Sequence, residues 1–185
     1  MLNPDIKIAK SKGIDLPLLY LYVAGYMSKD KLKETTEWRL GIKNYFKYYE
    51  KDEEDEWVSY PCSVLDPYNG KEFESISNDG VKSHIPPMAI RRGDKMSVKK
   101  ADIIIANMNT FGSNRPMIGT HHELCWALED DKPVILICNE KDLDLYKSHP
   151  FTCNCDYYLT DYKQLFEQKI IETYYRRIAG SIYEI

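Results

Sequence analysis

The sequence predicts an α/β fold: an open parallel sheet of about five strands with helices on both faces, Rossmann-like or flavodoxin-like in plan. Three observations predict it. Residues 18–24, 102–108 and 133–138 are almost continuously apolar, as strands covered on both faces must be. Segments of helical periodicity lie between such runs, and strands alternating with helices call for parallel pairing through crossovers. The length of 185 residues suffices for one domain with a substantial core. The whole chain, 1–185, is expected to be that single domain. Its core spans about residues 16–140, and a C-terminal strand and helix span about 156–180.

The elements follow in order. The first run, 18–24, ends at Gly25, and residues 31–49 carry helical spacing through Leu32, Trp38, Ile42, Tyr45 and Phe46. Residues 51–56, KDEEDE, read as a solvated loop because clustered like charge repels. Residues 57–64 suit a second strand, and 66–70, DPYNG, a turn. The polar stretch 71–83 has no clear period and reads as a loop over the site. Pro86 and Pro87 break regular structure before a helix over 88–100. A third strand is expected over 102–108, a helix over 120–129, a fourth strand over 133–138, a short fifth over 156–160 and a terminal helix over 162–178.

Composition narrows the function. A net charge of −4 leaves no electrostatic footprint for nucleic acid. No stretch is long and apolar enough to span a bilayer, and the polar start MLNPDIKIAKSKGID lacks the apolar core of a secretion signal. The five cysteines, an odd number, then suggest reduced thiols and a cytoplasmic setting. Cys153 and Cys155 stand near His149, but the spacing is not that of a zinc site and no second pair matches it, so neither metal nor cofactor is expected. The fifteen tyrosines include Tyr174, Tyr175 and Tyr183 near the end of the chain, where an exposed aromatic surface would suit a subunit interface.

Phosphate-binding G-x-G-x-x-G and Walker A loops are absent, as is the G-x-S-x-G elbow of serine hydrolases. What remains is carboxylates near predicted strand ends: Asp66, Asp94, Asp102 and Glu123. Thr120-His121-His122-Glu123 has the form of a capping box, with Glu123 reaching back to the first amide of the helix. Local pattern favours that cap, and catalysis stays open beside it. In either role the helix N-terminus favours the ionised carboxylate, the form a glycosyl-transfer nucleophile requires. His121 and His122 are expected to face solvent or flank the cap.

Together these residues resemble the nucleoside 2-deoxyribosyltransferase superfamily. Tyr20-Leu21-Tyr22-Val23-Ala24-Gly25-Tyr26-Met27, with Glu37-Trp38-Arg39 after it, is similar to the family's opening strand and turn. Asp94 and Asp102 have the family's spacing between a helix aspartate and the aspartate that begins the next strand. Gly119-Thr120-x-x-Glu123-Leu124-x-x-Ala127-Leu128, then Lys132-Pro133-Val134, resembles its most specific signature.

The resemblance implies an N-glycosidic-bond enzyme acting on (deoxy)nucleosides or their monophosphates, transferring deoxyribose to a base or to water. It implies Glu123 as nucleophile, Asp94 beside the departing base and Asp102 as the third acid, fixing the strand end. Tyr22, Gly25, Asn107, Gly119 and Thr120 are implied to bind substrate, and a homo-oligomer, dimer or larger, is implied as well. Met117 departs from the pattern, standing where the family's transferases carry an acid and its nucleotide-hydrolysing relatives a serine. The loop 111–115 offers Ser113, Asn114 and Arg115 as replacements. The alternative is a module that binds a nucleotide or an ADP-ribose-like ligand without turnover.

Overall fold

A computed structural model describes residues 8–11, 14–28, 30–46, 62–68, 73–77, 80–83 and 85–183. Its centre is one parallel sheet of five strands: β3 (Leu19–Gly25), β4 (Cys62–Leu65), β7 (Ile103–Asn107), β8 (Val134–Ile137) and β9 (Tyr157–Leu159). Two antiparallel pairs stand apart from it, β1 (Ile8–Ser11) with β2 (Ile14–Pro17) and β5 (Phe73–Ser77) with β6 (Gly80–Ser83). The helices are α1 (Leu32–Tyr45), α2 (Pro87–Lys100), α3 (Ile118–Glu129), α4 (Leu143–Ser148), α5 (Gln164–Glu167) and α6 (Ile170–Tyr183).

The apolar runs form strands because alternate side chains feed two separate cores. Leu19, Leu21 and Val23 join Ile103, Ile105, Ile135 and Ile137 beneath α1 and α6. Tyr22 and Ala24 join Ile104, Ala106, Val134 and Leu136 on the opposite face, beneath α2 and α3. Each fully buried Ile or Leu contributes roughly 1.5–3 kcal/mol.

The sheet order is β4-β3-β7-β8-β9, which for the five strands in chain order is 2-1-3-4-5, the flavodoxin-like arrangement. From β3 the chain leaves to α1 on one face; from β7 it leaves to α3 on the other. The two exits diverge beside each other, since Gly25 pairs with Asn107 at the carboxyl ends. Open sheets bind ligands in the crevice such a switch creates.

Several expectations are corrected. The helix expected from Thr120 begins at Ile118 with Met117 at its cap, and no side chain caps it. The polar stretch read as a loop contains β5 and β6. The terminal helix is broken, because Lys169 takes a left-handed conformation at φ 49 between α5 and α6. Tyr175 is buried in the α6 core rather than exposed, while Tyr174 is half-buried and packs edge-on against Tyr157. Tyr183's side chain, the charged run 51–56, the start of the second strand (57–61) and the end of its turn (69–70) lie outside the described residues. Among the described residues no helix is long and apolar enough to cross a membrane.

Candidate active site

The crevice at the switch point is a cleft of about 200 Å³. Gly25, Tyr26 and Met27 from the exit of β3 form one wall, and Ile90 and Asp94 of α2 another. Residues 115–120 and Glu123 close the third side. A second depression of about 270 Å³ adjoins it between α2 and α3, shared through Asp94 and Glu123 and flanked by Trp126. The Arg91 guanidinium and the Lys95 ammonium sit over that indole at 5.4 and 5.6 Å.

Glu123 lies one turn deeper in α3 than a cap would, and it is 5% exposed. Its Oε1 accepts a hydrogen bond from the Tyr22 hydroxyl at 2.8 Å. Tyr22 is fully buried, and burial, with Glu123 and Asp94 nearby, holds its pKa far above the ordinary phenol value. The phenol therefore stays protonated and can only donate to the carboxylate. The cap expected of Thr120 and Glu123 is replaced by this bond. The reason is local: with the helix starting just after Pro116, Thr120 falls at its third residue, with its side chain already buried.

A second buried group supports the same end of the sheet. Arg39 is 1% exposed. Its guanidinium donates to the carbonyls of Gly25 at 2.9 Å and Tyr26 at 3.4 Å, and to Thr35 O on its own helix. Its Nε stands 3.5 Å from Asp66 Oδ1, an ion pair rather than a hydrogen bond. Lys43 reaches Asp66 Oδ2 at 2.6 Å. Burial lowers the Arg39 pKa while Asp66, Glu123 and Tyr22 raise it, and an arginine in such company stays charged. The cation lies within electrostatic reach of Glu123 and anchors the carbonyls beneath the cleft. Asp66 is therefore occupied with Arg39 and Lys43.

The sequence places Arg39 in the resembling opening segment but does not mark it as a site residue. The usable signal was its spacing. Thr35, Trp38, Arg39 and Ile42 form the buried stripe of α1, and an arginine in such a stripe needs buried partners.

The remaining expected residues divide. Asp94, Gly25, Gly119 and Thr120 line the cleft with Glu123. Tyr22 does not line the cleft and meets it through its hydrogen bond to Glu123. Asn107 is buried, and its side chain accepts from Asn109 N–H at 3.0 Å, shaping the loop after β7 rather than lining the cleft.

Asp102 does not join this group. It precedes β7 at the opposite, amino edge of the sheet, where it accepts from Tyr20 N–H at 2.8 Å while its own N–H donates to Tyr20 O. Lys132, of the resembling signature, donates to the carbonyls of Lys99 and Ala101 and so caps α2.

Of the loop residues expected to replace the missing acid, Arg115 lines the cleft. Ser113 is tied instead to the Tyr26 hydroxyl at 2.5 Å, and Asn114 is exposed. Met117 is 7% exposed and forms an apolar wall. Both histidines before Glu123 are exposed, their Nδ1 atoms engaged by the carbonyls of Met117 and Ile118. Among the described residues no group of three or more His, Cys, Asp or Glu is arranged to hold a metal ion.

No protein-family model matches the chain. No curated protein matches it either. Among solved structures, it is similar to a 2-desoxiribosyltransferase from Leishmania mexicana at 18% identity and a TM-score of 0.44. That match covers 66% of this chain and 65% of the other, just under two thirds of its length.

Proposed function

We propose that the cleft is the active site of an N-glycosidic-bond enzyme acting on (deoxy)nucleosides or their monophosphates, with Glu123 as the nucleophile of a retaining double displacement. The observation that carries this reading is the 2.8 Å bond from the buried Tyr22 hydroxyl to Glu123 Oε1, in a cleft that Asp94 also lines. A buried carboxylate held through one oxygen keeps the other oriented for attack.

In the first step Glu123 Oε2 bonds to the anomeric carbon. The electron pair of the C–N bond leaves with the base. Asp94, across the cleft on α2, is the group suited to hold that base or pass it a proton. In the second step an acceptor base or water attacks the same carbon and releases the carboxylate. Arg39 balances the charge of Glu123 throughout, and Arg115 is the cleft cation available to a sugar hydroxyl or a phosphate.

The test is turnover of single deoxynucleosides and deoxynucleoside monophosphates by purified protein, with and without a second free base. Base release alone marks a hydrolase, and an exchanged nucleoside marks a transferase. Glu123→Ala should abolish either activity while the protein stays folded, at a stability cost of about 1–3 kcal/mol for the Tyr22 hydroxyl left without its acceptor. Wild-type turnover by Glu123→Ala, or tight binding of these compounds without any product, overturns the reading.

A further inference from the structure

The carboxylate cleft is not the only cavity that α3 lines. Another lies on the other side of the helix, against α4 and the turn that follows, with a volume of about 320 Å³. Small-molecule sites occupy roughly 300–1,000 Å³, so this one is large enough for a single ring system. Leu124 belongs to the core, while Leu145 and Phe151 stand 59% and 67% exposed. Among the described residues no Asp, Glu, Lys or Arg lines the cavity, which disfavours a charged occupant.

Two of the lining residues are imidazoles, and their hydrogen bonds fix opposite polarities. His121 Nδ1 lies 2.8 Å from Met117 O. A carbonyl only accepts, so Nδ1 carries the proton and Nε2 of the neutral ring is an acceptor. His149 Nδ1 accepts from Phe151 N–H at 3.3 Å, so its proton sits on Nε2, which is a donor. Of the remaining polar side chains in the lining, Cys125, Tyr146 and Thr152, the Thr152 hydroxyl donates to Tyr146 O at 2.6 Å. The second ring nitrogens are therefore complementary, an acceptor on His121 and a donor on His149. The Phe151 and His149 rings, 5.8 Å apart and tilted by 37°, add aromatic surface beside the donor.

We propose that this cavity is a second ligand site, taking a neutral planar heteroaromatic molecule that donates one hydrogen bond to His121 and accepts one from His149. The site stands independently of the catalytic reading. Because His121 and Leu124 flank Glu123 on one helix, an occupant touches the element that carries the proposed nucleophile.

The experiment is titration of the full chain with 2-pyridone, which has one N–H and one carbonyl, and with N-methyl-2-pyridone, which has lost the donor. Binding is read by calorimetry and by the imidazole nitrogen resonances of His121 and His149. Wild type should bind 2-pyridone about fivefold or more tightly than the methylated ring, the range one neutral hydrogen bond supplies. His121→Phe should bind the two rings alike, His149→Phe should weaken both, and Glu123→Gln should bind as wild type does. Equal affinity of the two rings for wild type overturns the proposal, as does binding that Glu123→Gln abolishes and His121→Phe leaves intact.

Discussion

The Tyr22 hydroxyl and Glu123 Oε1 meet at 2.8 Å across 101 positions of the chain, joining the middle of β3 to the first half of α3. The bond spans the switch point, where the chain leaves adjacent strands for opposite faces. It sets the carboxylate by a strand rather than by its own helix, so the position of Glu123 depends on how α3 docks against the sheet.

Removing that bond alone should separate positioning from folding. Tyr22→Phe keeps the buried ring and leaves Glu123 Oε1 without its donor. The expected cost is about 1–3 kcal/mol in stability, and a fall in kcat of about tenfold or more with a smaller change in KM. Urea unfolding and steady-state kinetics on the same preparation check both. An unchanged kcat would mean that Tyr22 does not orient the reacting group.

Asp102→Asn should spare activity. Asparagine still offers an oxygen to Tyr20 N–H, and the residue lies at the far edge of the sheet from the cleft. Burial raises the Asp102 pKa, with the Tyr20 bond and Lys132 opposing it. A carboxyl with a raised folded-state pKa favours the fold when protonated, and that contribution is lost as pH rises through the carboxylate range. The variant should therefore be at least as stable as wild type at pH 7, with the difference closing on acidification. Denaturant midpoints from pH 3 to pH 7 measure it.

Gly25→Ala tests how closely the cleft wall is packed. An added Cβ would stand 2.9 Å from Trp38 Cζ2, 3.1 Å from Asn107 O and 3.3 Å from Arg39 Nη2. The strand ends and the guanidinium that grips them must part, at about 1–3 kcal/mol. Thermal unfolding reports that cost. Turnover should fall further than it does for Gly119→Ala, where an added Cβ meets nothing within 4 Å.

Alkaline pH should destabilise the protein. Burial pushes the Cys155 thiol up to about 12 from an ordinary 9.0 and raises Cys62 and Cys138 as well. The folded chain then keeps protons that the unfolded chain loses, so stability is present below about pH 9 and declines above it. Urea midpoints should hold between pH 7 and about pH 9 and fall from there to about pH 10.5. In native protein, exposed Cys153 should react with a thiol reagent well before Cys155. Equal rates would contradict the burial of Cys155.

How much was legible depended on how local the cause is. The apolar runs identified β3, β7 and β8 to within a residue or two, because a strand covered on both faces has no polar positions to spare. Residues 71–83 hid a strand pair because their polarity carries no period. The break at Lys169 was invisible because a left-handed lysine is a choice of backbone, not of composition. Thr120 and Glu123 fitted a capping box at the right spacing, yet the helix starts two residues earlier and the box never forms.

By itself, the sequence determined that strands and helices alternate, that the sheet is parallel and covered on both faces, and that Glu123, Gly119 and Thr120 sit where a strand hands over to a helix. Periodicity and apolar burial encode those features within a few neighbouring residues. Only the tertiary structure decided which distant groups meet them: that Tyr22 holds Glu123, that Arg39 grips the carbonyls of Gly25 and Tyr26, that Asp94 shares the cleft, and that Asp102 lies at the opposite edge of the sheet. A buried hydroxyl or guanidinium is satisfied by whatever the strand order brings beside it. That order is settled by the packing of the whole sheet, not by any one segment.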